Sequence, residues 1–188
     1  IGGYATQTAL LACDPTTANT TADNVDSDFS VDGSDLKFTL TTGGAGQNDF
    51  KADGGFIPKT GSIGDFVWKD ANDNGIQDLP AEKGVAGVIV QLLNNSNNAI
   101  LATDTTDTNG LYGFTGLASG SYKVKIVLSS LPDTCQISPK QDAGTPNDDT
   151  NDSDFNPATS ESPVIVIDVT KTGIDKDNPT IDAALFVP

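Results

Sequence analysis

Ser121-Tyr122-Lys123-Val124-Lys125-Ile126-Val127-Leu128 decides the fold class. Tyr122, Val124, Ile126 and Leu128 fall at every second position, with Lys123 and Lys125 between them. That period of two belongs to a strand with one face buried. The same rhythm extends in both directions. Upstream it runs through Leu111 to Leu117 (Tyr112 and Phe114 alternating), Ala99 to Thr106, Val85 to Leu93 and Ile63 to Trp68. Downstream it returns at Pro163 to Val169 and Thr180 to Val187. Turn-forming clusters, Asn94 to Asn98 and Asp107-Thr108-Asn109-Gly110, separate neighbouring runs. No segment sustains a helical period. Short strands with turns every 8 to 12 residues or so predict an all-β chain built as an antiparallel β-sandwich. Phe66 and Trp68 read as core anchors of the first strand, and Asp65 as either solvent-facing or a ligand, because an inward acid needs a partner.

The charge narrows the partners. The net charge is -16, and all but two of the 26 acids are Asp, the exceptions being Glu82 and Glu161. Asp suits turns and short-armed cation cages better than helical surfaces do. The imbalance speaks against nucleic acid or an anionic membrane surface as partner. No run of about 18 apolar residues is present, so no membrane span is expected. The chain opens at Ile1 with no signal peptide, which predicts a processed subunit or a segment of something longer. With no His in the sequence, neither a Ser-His nor a Cys-His catalytic pair can form, and a non-enzymatic role is expected. Cys13 and Cys135 are disulfide candidates in an oxidising compartment, or two unrelated thiols.

Between the first two strands lies Asp70-Ala71-Asn72-Asp73-Asn74-Gly75-Ile76-Gln77-Asp78. Oxygen side chains alternate, and a glycine stands sixth. That is the opening of a calcium loop of the EF-hand type, with ligands at positions 1, 3, 5, 7 and 9, the seventh through its carbonyl. Asp70, Asn72, Asn74, the Ile76 carbonyl and Asp78 take those positions. Position 12 is Ala81, and Glu82 follows one residue out of register. The expected cofactor is Ca2+. Residues 141 to 160 are rich in Asp and poor in apolar side chains; they read either as a disordered acidic loop or, placed near the first loop, as a second multi-carboxylate site.

An internal repeat sets the domain organisation. Asp26-Ser27-Asp28-Phe29 recurs as Asp152-Ser153-Asp154-Phe155, and Asp53-Gly54-Gly55-Phe56-Ile57-Pro58 resembles Asp182-Ala183-Ala184-Leu185-Phe186-Val187-Pro188. Residues 1–60 thus read as the C-terminal part of a preceding repeat, with Asp26 and Asp28 as an earlier copy of the acidic site. Residues 61–188 read as a complete domain. A neighbouring chain completing the first part by strand or domain complementation is one expectation; a crop of a longer array, or a small sheet of its own, are the rivals.

Gly64-Asp65-Phe66-Val67-Trp68-Lys69-Asp70 through Asp78, then Gly84-Val85-Ala86-Gly87-Val88, Thr106 to Phe114 and Gly120 to Val124, closely resemble the SdrD B-like repeats of serine-aspartate repeat surface proteins, relatives of Cna B-type domains. The resemblance implies an immunoglobulin-like sandwich of the prealbumin type in an extracellular, cell-surface protein whose repeats bind calcium and stiffen. It passes the loop-ligand role to Asp70, Asn72, Asn74, Asp78 and Glu82. It makes Asp152 and Asp154 the second acidic segment, with Asp148 and Asp149 as helpers. Asp107 and Asn109 match its turn, as ligand or as turn alone. The function expected is a structural repeat, contacting other copies or adjacent repeats head to tail; the alternative is an adhesin module. Lys69 and Asn178, with a Glu, are a remote candidate pair for an isopeptide crosslink.

Overall fold

The computed structural model describes residues 12–15, 30–32, 35–37, 56–78, 80–132, 134–138 and 151–188, and of 30–32 and 35–37 the backbone alone. The chain divides into two compact units, Ile1–Lys59 and Thr60–Pro188.

The described strands of the first unit are β1 (Cys13–Pro15), β2 (Ser30–Asp32), β3 (Asp35–Lys37) and β4 (Phe56–Pro58). β2 and β3 form a tight antiparallel hairpin. β1 and β4 pair antiparallel, Cys13 opposite Pro58. Beyond them the Lys59 amide donates to the Ala12 carbonyl at 2.7 Å, and the Lys59 ammonium meets the Asp14 carboxylate at 3.2 Å.

The second unit is a sandwich of two sheets. One holds β5 (Gly61–Lys69), β8 (Leu111–Leu117), β10 (Gln136–Ile137), β12 (Asp177–Asn178) and β13 (Ala183–Phe186). The other is ordered β11 (Ile165–Ile167), β9 (Gly120–Ile126), β6 (Ile89–Asn94), β7 (Ile100–Thr105). The period of two becomes the core: Tyr122, Val124 and Ile126 of β9, Val90 and Leu92 of β6, and Tyr112 and Phe114 of β8 are buried. Each such side chain removed from water is worth about 1.5–3 kcal/mol. Trp68 is fully buried and anchors the core; Phe66, half-buried, stacks on it with ring centroids 6.3 Å apart.

The expected strands form, with shifted ends. Val85 to Leu93 begins as strand only at Ile89, because Gly87 turns the chain at φ +82°. Leu128 leaves β9 for a 3-10 turn over Leu128–Ser130. The two-residue strands β10 and β12 carry no pattern long enough to read. The sandwich also departs from wholly antiparallel order at one seam. β5 pairs antiparallel with β8 on one side, but parallel with β12 and β13 on the other, Ala183 opposite Val67. A parallel neighbour needs a long crossover, and the whole chain between β5 and β13 supplies it.

The disulfide candidates lie in different units, Cys13 in Ile1–Lys59 and Cys135 in Thr60–Pro188. Among the described residues no helix is long and apolar enough to cross a membrane.

Candidate metal centre

Residues 70–78 leave the end of β5 as a tight loop. Its shape is set by two residues with left-handed backbone, Asp73 (φ 56°) and Gly75 (φ 73°). Glycine adopts that region at no steric cost, which accounts for its place at the sixth position.

The first residue organises the loop from inside. Asp70 is 2% exposed. Its Oδ1 accepts the Asn72 and Asn74 amides at 3.2 and 3.3 Å, and its Oδ2 the Gly75 amide at 2.7 Å. Ser138, at the end of β10, adds its hydroxyl 2.8 Å from Asp70 Oδ2 and 3.1 Å from Asp73 Oδ1. Ser138 is a site residue that sequence reasoning missed; a lone serine after a two-residue strand carries no signal of its own.

Glu82 closes the loop from its far end. Pro80 and a turn over 78–82 absorb the extra residue, with the Ala81 and Glu82 amides both on the Asp78 carbonyl. The Glu82 side chain then accepts the Ala71 amide at 2.8 Å through Oε1 and the Asp78 amide at 2.9 Å through Oε2. Asp78 Oδ2 in turn receives the side-chain amides of Asn72 (2.9 Å) and Asn74 (3.2 Å), and Asn74 Oδ1 accepts the Ile76 amide at 2.8 Å.

The acidic segment lies against this loop. Ile76 and Asp152 form an antiparallel bridge, the Gln77 amide donates to the Asn151 carbonyl at 2.7 Å, and the Ser153 amide to the Gly75 carbonyl at 2.9 Å. Phe155, wholly buried, pins the segment into the core. Loop and segment, 73 or more residues apart in sequence, therefore share one end of the domain. Asp148, Asp149, Asp26 and Asp28 lie outside the described residues.

Asp154 turns toward a different set. Its Oδ2 accepts the Asp182 amide at 2.8 Å, while the Asp154 amide donates to the Asp182 carbonyl at 2.9 Å. Asp182 Oδ1 accepts the Phe66 amide at 3.2 Å. Burial, then the charges of Asp65 and Asp154, push the Asp182 carboxyl up to about 9, so it carries a proton at neutral pH. Burial also raises Asp65, which hydrogen-bonds Asp182; Asp65 thus faces an acid rather than open solvent. Tyr112, its phenol raised well above the ordinary value by burial, donates to the Ile181 carbonyl at 2.6 Å. Sequence reasoning gave Asp182 no site role; it stood only as a member of the expected strand Thr180 to Val187 and of the repeat.

Asp107 stays in its own turn. Its Oδ1 accepts the Leu111 and Asn109 amides at 2.9 and 2.8 Å, and those bonds, Leu111 first, hold its carboxyl below the usual range. The isopeptide pair is overturned. Asn178 stands opposite Ile63 and Leu185 opposite Lys69 on β5, so Lys69 and Asn178 are six residues apart along the ladder, about 20 Å at 3.3 Å per residue.

Among the described residues no three His, Cys, Asp or Glu side chains gather into a ready-made metal cluster. The loop's oxygen set is mixed instead: carboxylates of Asp70, Asp78 and Glu82, amides of Asn72 and Asn74, and the Ile76 carbonyl. Such a set suits a hard cation. Asp70 and Glu82 are also nearly buried, and buried carboxylates favour a compensating positive charge.

Residues 61–185 match the family model of the SdrD B-like domain. Over 158 residues, 82% of this chain, the sequence is 36% identical to serine-aspartate repeat-containing protein D of Staphylococcus aureus (strain Newman). Over 173 residues, 90% of this chain, it is 37% identical to serine-aspartate repeat-containing protein F of Staphylococcus epidermidis. The chain spans about a tenth of the length of these curated relatives. The minor pilin GBS52 of Streptococcus agalactiae aligns over 77% of this chain and 57% of its own at 15% identity and a TM-score of 0.42. From its first β5 residue almost to its end, this chain belongs to the SdrD B-like domain family.

Proposed function

We propose that the chain is a non-enzymatic structural repeat of an extracellular, cell-surface protein, stiffened by calcium. The observation that carries this reading is the docking of the 70–78 loop on residues 151–153. Asp70, Asn72, Asn74, Asp78, Glu82 and the Ile76 carbonyl would hold the ion, which supplies positive charge among the loop's carboxylates. Asp70 and Glu82 already fix the loop's two ends through its own amides, so little ordering remains to be done on binding. Because the loop is bridged to Asp152, fixing it also fixes the acidic segment. At a free concentration about 100 times the dissociation constant, one ion adds roughly 2.7 kcal/mol to stability. Thermal melts during chelator titration test this; a melting temperature indifferent to calcium would sink it.

The repeat supports a head-to-tail assembly. β10 pairs with β13, Gln136 opposite Phe186, and extending that register by one residue would set Cys135 against Val187. In the first unit Cys13 faces Pro58, which the sequence repeat aligns with Val187. On that extended register the two cysteines would stand at equivalent positions, so Ile1–Lys59 reads as the end of a preceding repeat. On this reading a strand with the character of β5, from an adjoining repeat or subunit, lies beside β4. Native mass measurement separates a polymerising subunit from a monomeric segment.

A further inference from the structure

Asn74-Gly75 and Asn109-Gly110 are the two Asn-Gly steps in the sequence. In such a step the glycine nitrogen can attack the preceding side-chain carbonyl carbon, since glycine sets no Cβ in the way. The nitrogen yields its proton to hydroxide, its bond to Cγ forms, the Cγ–Nδ2 bond breaks, and ammonia leaves carrying a proton from water. The cyclic imide then takes up water at one of two carbonyls. It opens to aspartate, or to isoaspartate with the main chain routed through the side chain.

The fold treats the two steps differently. The Gly75 amide donates at 2.7 Å to Oδ2 of the buried Asp70 carboxylate. Stripping its proton would set a second negative charge against the first, away from water, where repulsion is poorly screened. Asn74 is also held at both ends of its amide, Oδ1 by the Ile76 amide at 2.8 Å and Nδ2 by Asp78 at 3.2 Å. The Gly110 amide donates instead to the neutral Asp107 carbonyl at 3.0 Å. Asn109 is exposed, and its Nδ2 meets Asp107 Oδ2 only at 3.5 Å.

We infer that Asn74 is a latent self-modification site, silent while the 70–78 loop is closed and reactive once it opens. Either product puts a carboxylate at the loop's fifth position. Isoaspartate also lengthens the backbone there, so Gly75 and Ile76 no longer return to Asp70 and Asn74 in register. A transient opening is thereby recorded covalently. No bound cation is needed for this.

The test is peptide mass mapping of the full chain, incubated at mildly alkaline pH folded and in guanidinium, with fragmentation that distinguishes isoaspartate. In guanidinium both sites should convert at similar rates. In the folded chain Asn74 should lag Asn109 by about tenfold or more, a difference of about 1.4 kcal/mol. Equal rates in the folded chain, or a faster Asn74, would overturn the inference.

Discussion

The Glu82 carboxylate reaches back 11 residues to the Ala71 amide at 2.8 Å, and with its other oxygen holds Asp78. It is the clasp of the loop despite sitting one residue past the expected position. Glu82→Ala leaves both amides without their acceptor and should cost about 1–3 kcal/mol. Glu82→Gln, which keeps one carbonyl oxygen, should cost less. Urea denaturation of the two variants gives the order; equal stability of Glu82→Ala and the parent would remove the clasp.

Phe155 should couple the acidic segment to the sandwich. Phe155→Ala empties a fully buried site and is expected to lose about 3–5 kcal/mol. Residues 151–154 should then become sensitive to limited proteolysis at temperatures where the parent resists. Lost stability with the segment still protected would show that the bridge to Ile76 holds it unaided.

Asp182 predicts a pH dependence opposite to that of an ordinary ion-paired acid. Its folded value is raised from 3.8 to about 9, so between those values the folded state binds the extra proton and stability falls as pH rises. The groups facing it, Asp65, Asp154 and Asp152, are all acidic, and Tyr112 is raised with it. Asp182→Asn keeps an oxygen for the Phe66 amide and removes the charge. In chelator the variant should match the parent below about pH 4 and exceed it by on the order of a few kcal/mol near pH 9. Melts across pH that run parallel for the two proteins would contradict this.

Two glycines give a steric contrast. A Cβ on Gly84 would lie 1.7 Å from the Asn109 carbonyl oxygen, whereas one on Gly113 meets nothing within 4 Å. Gly84→Ala should therefore destabilise by about 1–3 kcal/mol or more, and Gly113→Ala should be neutral or gain up to about 1 kcal/mol. Thermal melts of the pair decide it.

The parts legible in the sequence are those where one local rule acts alone. Alternation placed the cores of β8 and β9, since burial on one face leaves a period of two. The glycine at position six betrayed the loop's left-handed turn, and the Asp-Ser-Asp-Phe motif marked the segment that docks on it. Ser138 and Asp182 were illegible because their roles exist only across the fold. Ser138 reaches Asp70 over 68 positions and Asp182 meets Phe66 over 116, and neither leaves a local pattern. The β5–β13 pairing was hidden for the same reason: strand direction within a sheet depends on how many times the chain has crossed.

That parallel pairing decides how the second unit answers a pull along its chain. Because β5 and β13 run the same way, the start of one and the end of the other lie at opposite ends of the seam. Tension applied at the two ends loads their mutual hydrogen bonds lengthwise, all together, rather than unzipping them one by one. A domain tethered in series thus meets traction with its strongest geometry, and yields only when the whole seam slips at once.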